Sequence, residues 1–328
     1  MLKFILKRTL YMIPTLIGMS VVSFFIIQLP PGDFLTSLLS AIADSGQGLD
    51  QATVAKLTAQ YGLDQPFYVQ YWRWISNILL RGDFGWSFDW GQPVSRIIWD
   101  RLGITLGVSL ISLVLVWAIA LPIGIYSAVR RYSLGDHLFT LFGFIGLAIP
   151  TFILALVLMY VTFHYFGQSV GGLFSPEYLD APWSLARLGD LLLHLWIPIV
   201  VIATSSTAAL IRVMRANLSD ELNKPYVVTA RAKGLSEFTL ILRYPVRIAL
   251  NPFISTIGWV LPSLISGVTI TAIVLNLPMA GPLLLRALVS QDMYLAGAFI
   301  LLMSALTLVG MLASDILLAL LDPRIRLQ

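Results

Sequence analysis

The sequence predicts an all-α membrane protein with six transmembrane helices, both termini cytoplasmic and a long outer loop after the first helix. Three observations carry that reading. The 328-residue chain is 58% hydrophobic and only 12% charged, whereas soluble chains carry about 25% charged residues. Six apolar runs reach the length a bilayer requires, ~20 residues. Lysine and arginine crowd onto one set of loops.

The six runs are roughly 10–29, 103–126, 138–166, 191–211, 251–276 and 295–320. The first, Leu10 to Leu29, holds no charged residue. It is too long for a signal-peptide core and lacks a small-residue cleavage site behind it, so it reads as a retained helix. Later runs contain Pro122, Pro150, Pro198 and Pro262. Inside a bundle, neighbouring helices and hydroxyl side chains satisfy the backbone groups that such residues free. No internal repeat or low-complexity stretch stands out.

Placing the N-terminus inside gives the cytoplasmic side 14 of the 21 lysines and arginines, seven of them between Arg212 and Arg247. The other seven are spread over longer outer loops that also hold most of the acids, a positive-inside pattern. Two domains are expected: residues 1–102, the first helix with an outer amphipathic segment, and residues 103–328, the main transmembrane domain with a cytoplasmic loop at about 212–250. In the outer segment, Asp50 can cap a helix running to Tyr61, with Gly62 as its stop. Asp64 and Pro66 can start another through FYVQYWRWISNILL. Its Tyr68, Tyr71, Trp72 and Trp74 suit a membrane–water interface.

Several chemistries are absent. There is no GxxxxGK[ST], so the chain binds no ATP through a P-loop of its own. There is no HExxH and no cysteine, which removes disulfides and thiolate metal sites. His137, His164 and His194 lie near helix ends and read as interfacial or packed histidines; nothing pairs one with a nucleophile. Asp315 is the one acid inside a predicted span, about 10 Å of helical rise from Asp322 at the cytoplasmic exit. Pairing at the bundle end is the simpler reading of it than a proton relay. Hydroxyls cluster at Thr204, Ser205, Ser206 and Thr207 in the fourth span and at Ser263, Ser266, Thr269 and Thr271 in the fifth. They suit pore lining, with Thr204, Ser205, Thr207, Ser263, Ser266 and Thr269 as candidates, or helix–helix packing. No feature calls for nucleic acid.

One stretch breaks the oil: YVVTARAKGLSEF, residues 226–238. Pro225 ends any continuation of the fourth span. Tyr226 to Lys233 can form a short helix, Gly234 a left-handed turn and Ser236 the cap of a second helix. Thr229, Ala230 and Ala232 are small enough to let another surface approach. Arg231 and Lys233 add steering charge for an acidic partner. A plain basic loop obeying topology is the bland alternative.

TARAKGLSEFTLILRYPVRIAL resembles the "EAA" cytoplasmic loop of type I ABC importer permeases, closest to the oligopeptide, dipeptide and nickel branch. YGLDQPFYVQYWRWISNILLRGDFGWSF, GIYSAVRRYSLGDHLFTL with GLAIPTF, SDILLALLDPRIR and the N-terminal KRTLYMIPTLIGMSVVSFFIIQLPPGD are similar to other segments of that branch. The resemblance runs nearly end to end. It implies half of a solute channel, completed by a second homologous permease. Two cytoplasmic ATPase subunits carry ATP and Mg, and an extracytoplasmic solute-binding protein delivers the substrate. The chain itself binds no cofactor, and it sits in a bacterial or archaeal cell membrane among lipid. Residues Tyr226, Thr229, Ala230, Arg231, Ala232, Lys233, Gly234, Leu235 and Ser236 would form the loop that couples to the ATPase. The motif's leading Glu-Ala is replaced here by Val228 and Thr229, and Pro245 stands where a small residue is common. In LNLPMAGPLLLRAL, Asn276, Leu277 and Met279 depart from the branch's aromatic pattern, while Pro278 and Gly281 keep its turn chemistry. That departure at the outer mouth leaves both short oligopeptides and oligosaccharides open as substrates. A secondary carrier or an intramembrane enzyme would work without an ATPase.

Overall fold

A computed structural model describes residues 2–28, 65–87, 89–167, 171–179, 181–182, 184–258 and 268–321. Apart from one two-residue antiparallel ladder, the regular structure among them is helical. The chain divides into two units: Leu6–Gly103 with Met279–Leu308, and Met1–Ile5, Ile104–Pro278 and Val309–Gln328.

In the first of these, helix α1 (Leu2–Gln28) meets α2 (Phe67–Arg81) through aromatic side chains. The Phe24 ring lies 5.2 Å from Phe67, 5.6 Å from Tyr71 and 5.4 Å from Trp74, centroid to centroid. Ser20 and Tyr71 share a hydroxyl hydrogen bond of 2.7 Å. Helix α2 starts after Pro66 and stops at Gly82, whose φ of 64° releases the chain. Trp74 is buried, and Tyr68 and Trp72 stay exposed on the other side of the helix. The expected Asp50–Tyr61 helix lies outside the described residues.

The segment after α2 forms a tight clasp. Strands β1 (Trp86–Ser87) and β2 (Gln92–Pro93) pair antiparallel. Ser87 Oγ donates to Asp292 Oδ2 at 2.5 Å. Asp292 Oδ1 accepts from the Leu295 N–H. Gly85, at φ 92°, lies so close to Tyr294 that an added Cβ would sit 2.8 Å from its ring. Arg286, on α11 (Ala280–Val289), pairs with Asp89 at 2.7 Å and stacks over Trp90.

The other unit is built on α3 (Val94–Val129), α4 (Leu134–Ala148), α5 (Thr151–Phe166) and α6 (Leu185–Leu222). Short helices α7 (Pro225–Ala232), α8 (Glu237–Arg243) and α9 (Pro245–Ala249) follow, and residues 251–258 are also helical. Helix α10 (Thr269–Val274) and the far half of α12 (Met293–Leu321) complete it. Helices α3 and α6 approach closely where Gly124 meets Met214: a Cβ there would fall 2.6 Å from Met214 Cβ. Their core joins Val116 and Ala120 to Met214 and Leu218, and continues into Val227, Leu240 and Phe253.

Helices α1, α3, α6 and α12 are each long and apolar enough to cross a membrane, and α4 with α5 makes a fifth candidate only as a bent pair. The chain is therefore an all-α, multi-pass membrane protein. A straight third span over 138–166 is not what forms: α4 and α5 meet at 98°. Pro150 has no N–H to continue α4, and it holds Ile149 extended at φ −84°, ψ 120°. Pro122 and Pro198, by contrast, stay inside intact helices. Of the expected 251–276 span, residues 251–258 and Thr269–Val274 are helical and 259–267 lie outside the described residues.

Candidate coupling site

The basic elbow is a helix–turn–helix anchored on the end of α6. Lys224 is extended because proline follows it, and Pro225 takes the first helical position of α7, where no N–H is needed. Glu221, in the last turn of α6, holds both residues that flank that proline. Lys224 Nζ reaches Glu221 Oε1 at 2.7 Å and the Tyr226 hydroxyl donates to Oε2 at 2.6 Å. Burial, with the Glu221 carboxylate beside it, pushes the Tyr226 phenol well above its ordinary range.

Helix α7 has two faces. Val227 and Ala230, one turn apart, are buried in the α3–α6 core. Val228, Thr229, Arg231 and Ala232 are exposed. The outer face is therefore mostly small side chains on a rigid base. Thr229 Oγ1 donates back to the Pro225 carbonyl, so the threonine is turned along the helix. Gly234 closes the helix at φ 80°, its N–H on the Arg231 carbonyl at 3.0 Å. Nothing lies within 4 Å of where its Cβ would be. Glycine is required there by backbone conformation and by no neighbour.

Three details differ from the sequence reading, the first being that Ala230, expected on the face open to another surface, is buried in the core. Ser236 takes the N-cap position of α8, but its Oγ donates to Thr239 Oγ1 at 2.9 Å and caps no N–H. Arg231 is not a free steering charge: its guanidinium grips both oxygens of Glu237 across the turn. That contact holds the exposed Glu237 carboxyl below its usual range and keeps Arg231 more firmly protonated. Lys233 remains exposed beside it, Leu235 is half-buried against the core, and Phe238 is 75% exposed. Pro245 starts α9, again at a first helical position. Beside the elbow opens a cleft of about 690 Å³ lined by Glu221, Lys224, Tyr226, Arg243, Arg247 and Leu321. Arg247 Nε donates to the Leu321 carbonyl across it.

Of the hydroxyl candidates, Thr204, Ser205, Thr207 and Thr269 are among the described residues. Thr204 and Thr207 line a mainly apolar recess of about 240 Å³ with Leu115, Phe139 and Gly143. Thr204 Oγ1 donates to the Val200 carbonyl of its own helix. Ser205 and Thr269 are half-buried. Ser263 and Ser266 lie outside the described residues. Thr151 and Thr271 do pair, at 2.8 Å between hydroxyls, a contact 120 positions apart that no local pattern announces. Of the histidines, His194 is buried with Nδ1 2.8 Å from the Asp190 carbonyl oxygen, His164 is exposed and stacks on Tyr160, and His137 is exposed. Among the described residues no group of three potential metal ligands forms. At the 276–281 segment, Asn276 is the left-handed residue ending α10 (φ 51°), and the Leu277 N–H reaches back to the Ala272 carbonyl at 2.8 Å. Leu277 and Met279 are buried.

Comparison with known proteins assigns this membrane helix bundle and its elbow to a class, that of transport components. A family model described as the binding-protein-dependent transport system inner membrane component matches residues 120–327. One described as the N-terminal part of such a membrane component matches residues 1–110. The chain is 37% identical over 327 residues to the oligopeptide transport system permease protein AppB of Bacillus subtilis, covering 99% of each. It is 32% identical over 328 residues to the glutathione transport system permease protein GsiC of Salmonella paratyphi A, again 99% of each. The oligopeptide transport system permease protein OppB of Haemophilus influenzae is 29% identical over 327 residues, 99% of this chain and 100% of that protein. The chain belongs to the family of inner membrane components of binding-protein-dependent transport systems. It is a permease subunit of an ATP-driven importer.

Proposed function

We propose that the chain forms half of the channel of a peptide importer and receives its driving force at the 225–236 elbow. The observation that carries this is α7: an exposed face of small side chains, held on a buried face and tied by Glu221 to the 38-residue helix α6. A displacement of α7 is therefore a displacement of α6. Six spans and cytoplasmic termini put the elbow in the cytoplasm, as the lysine and arginine distribution favours. There two ATPase subunits supply the motion, with ATP and Mg bound on them. A second, homologous permease completes the channel, and an extracytoplasmic binding protein presents the substrate. ATP-driven closure of the ATPases shifts the bundle between inward- and outward-facing states.

Peptide is the favoured cargo. Relatives covered end to end carry oligopeptide and glutathione transport names. Reconstitution tests the reading. The chain should co-purify with a P-loop ATPase and a second permease, and import short peptides into vesicles only with ATP and the binding protein. Uptake by the chain alone, driven by a proton gradient, would instead make it a secondary carrier. Uptake of oligosaccharides in preference to peptides would move the cargo class.

A further inference from the structure

The connection between α3 and α4 belongs to no part of the elbow, yet it is fastened to the same helix. Arg215 of α6 sends Nε to Asp136 Oδ1 and Nη2 to Asp136 Oδ2, both at 2.8 Å, a two-pronged grip. The Asp136 carboxylate is 1% exposed and the Arg215 side chain 28%. Asp136 Oδ2 also accepts the Tyr132 N–H at 2.8 Å, and Tyr132 is held at φ 65°, a conformation uncommon outside glycine. The Asp136 N–H in turn is capped by Ser133 Oγ. One carboxylate thus sets the turn, the start of α4 and the join to α6.

The surroundings are tight. A Cβ on Gly135 would fall 2.5 Å from the Tyr126 hydroxyl, and Tyr126 packs edge-on against Phe139. A Cβ on Gly146 would meet Thr204 Cγ2 at 3.1 Å. Helix α4 therefore lies on α6 along its length, with the ion pair at one end. From Arg215 to Leu222 the helix advances about 10 Å, and Glu221 then holds Tyr226. Ion pair and elbow are two fixtures on one rod.

We infer that Asp136 and Arg215 are a positioning pair that makes the α3–α4 turn move with the coupling helix. This rests on the coupling role proposed above. Packed helices still allow small sliding shears, whereas a forked ion pair on a buried carboxylate has one geometry. An elbow displacement carried by α6 must then rotate α4 with it, up to the break before Pro150. Without the pair, α6 slips against α4, and ATP is spent with less of the bundle following.

The test uses the whole reconstituted transporter. Arg215→Lys keeps the charge and loses the fork; Asp136→Asn keeps the shape and the Tyr132 acceptor and loses the charge. Each variant, and the double, is measured for assembled complex, ATP hydrolysis and peptide taken up per ATP. Assembly and hydrolysis should stay near the parent's. Uptake per ATP should fall about tenfold, within the range of couplings between sites, and the double should be no worse than the worse single. Unchanged uptake per ATP in both singles would overturn the inference. So would losses of hydrolysis and uptake that only track the amount of complex, the sign of a purely structural pair. A parent chain that assembles with no ATPase would instead remove the coupling role itself.

Discussion

The Tyr226 hydroxyl donates to Glu221 Oε2 at 2.6 Å, bridging the break between α6 and α7. Lys224 occupies the other oxygen, so this buried carboxylate is held from both sides of Pro225. Removing one partner from a buried charged acceptor costs about 1–3 kcal/mol. Tyr226→Phe should therefore loosen the joint by about that much and lower uptake per ATP while hydrolysis continues. A phenol whose pKa is raised in the fold gives stability that is complete below its ordinary value of 10.0 and is lost as pH rises through the higher folded value. Coupling should then be flat from about pH 6 to 9 as far as this residue is concerned, measured as uptake per ATP against pH.

Gly234→Val is expected to uncouple by a backbone mechanism. Space around the position is open, so no clash contributes. What the substitution meets is the left-handed conformation, about 1–2 kcal/mol. Gly234→Asn, which tolerates that region better, should recover much of the loss. Equal defects in the two variants would show that some property other than φ matters.

Arg231→Glu now has two consequences. It removes the pair that closes the elbow and sets a second carboxylate against Glu237. ATPase association should weaken, most at low salt where repulsion is unscreened. Glu237→Gln should free Arg231 and leave association intact or stronger. The Glu237 pKa is lowered by Arg231, so its contribution is present above the ordinary 4.5 and is lost only as pH falls through the folded value. Association measured by pull-down should then be steady at neutral pH and, as in Glu237→Gln, stay intact or strengthen once acid neutralises Glu237 and releases Arg231.

The clasp at the start of α12 should respond in the opposite sense. Burial first, opposed by hydrogen bonds from Ser87 and backbone, raises the Asp292 pKa above 3.8. A raised carboxyl stabilises fully below that value, and the contribution is lost as pH rises through the folded value. Mild acid should therefore protect this clasp from proteolysis. At neutral pH Asp292→Asn should be neutral or stabilising. Ser87→Ala, leaving the buried carboxyl short of a donor, should cost about 1–3 kcal/mol, read by thermal unfolding of the purified protein.

The burial of Val227 and Ala230 depends on the α3–α6 core beneath them, but the elbow was legible because its signals are local: Pro225 and Gly234 act within one or two turns. The same holds for α2, which begins after Pro66 and ends at Gly82. The bend at Ile149 was not foreseen, since Pro122 and Pro198 sit in equally apolar runs and stay helical; neighbours decide which proline breaks a helix. The Arg231–Glu237 pair went unread because it closes across a turn that depends on Gly234. The pairs Asp136–Arg215, Thr151–Thr271 and Ser87–Asp292 join positions 79, 120 and 205 apart. No periodicity reports such contacts. The hydroxyls of Thr204 and Thr207 suggested a wet path by composition, and composition does not report that Thr204 Oγ1 turns back to the Val200 carbonyl while Thr207 Oγ1 is buried without a hydrogen-bond partner.

Helix α6 runs 38 residues without interruption, about 57 Å at 1.5 Å per residue. A bilayer's oily layer is only about 30 Å thick. The rod is therefore nearly twice as long as the oily layer is thick. A tilt of about 10° around its midpoint swings each tip by about 5 Å in opposite senses. In the proposed importer such a tilt would work like a see-saw, carrying the two tips in opposite senses in one stroke.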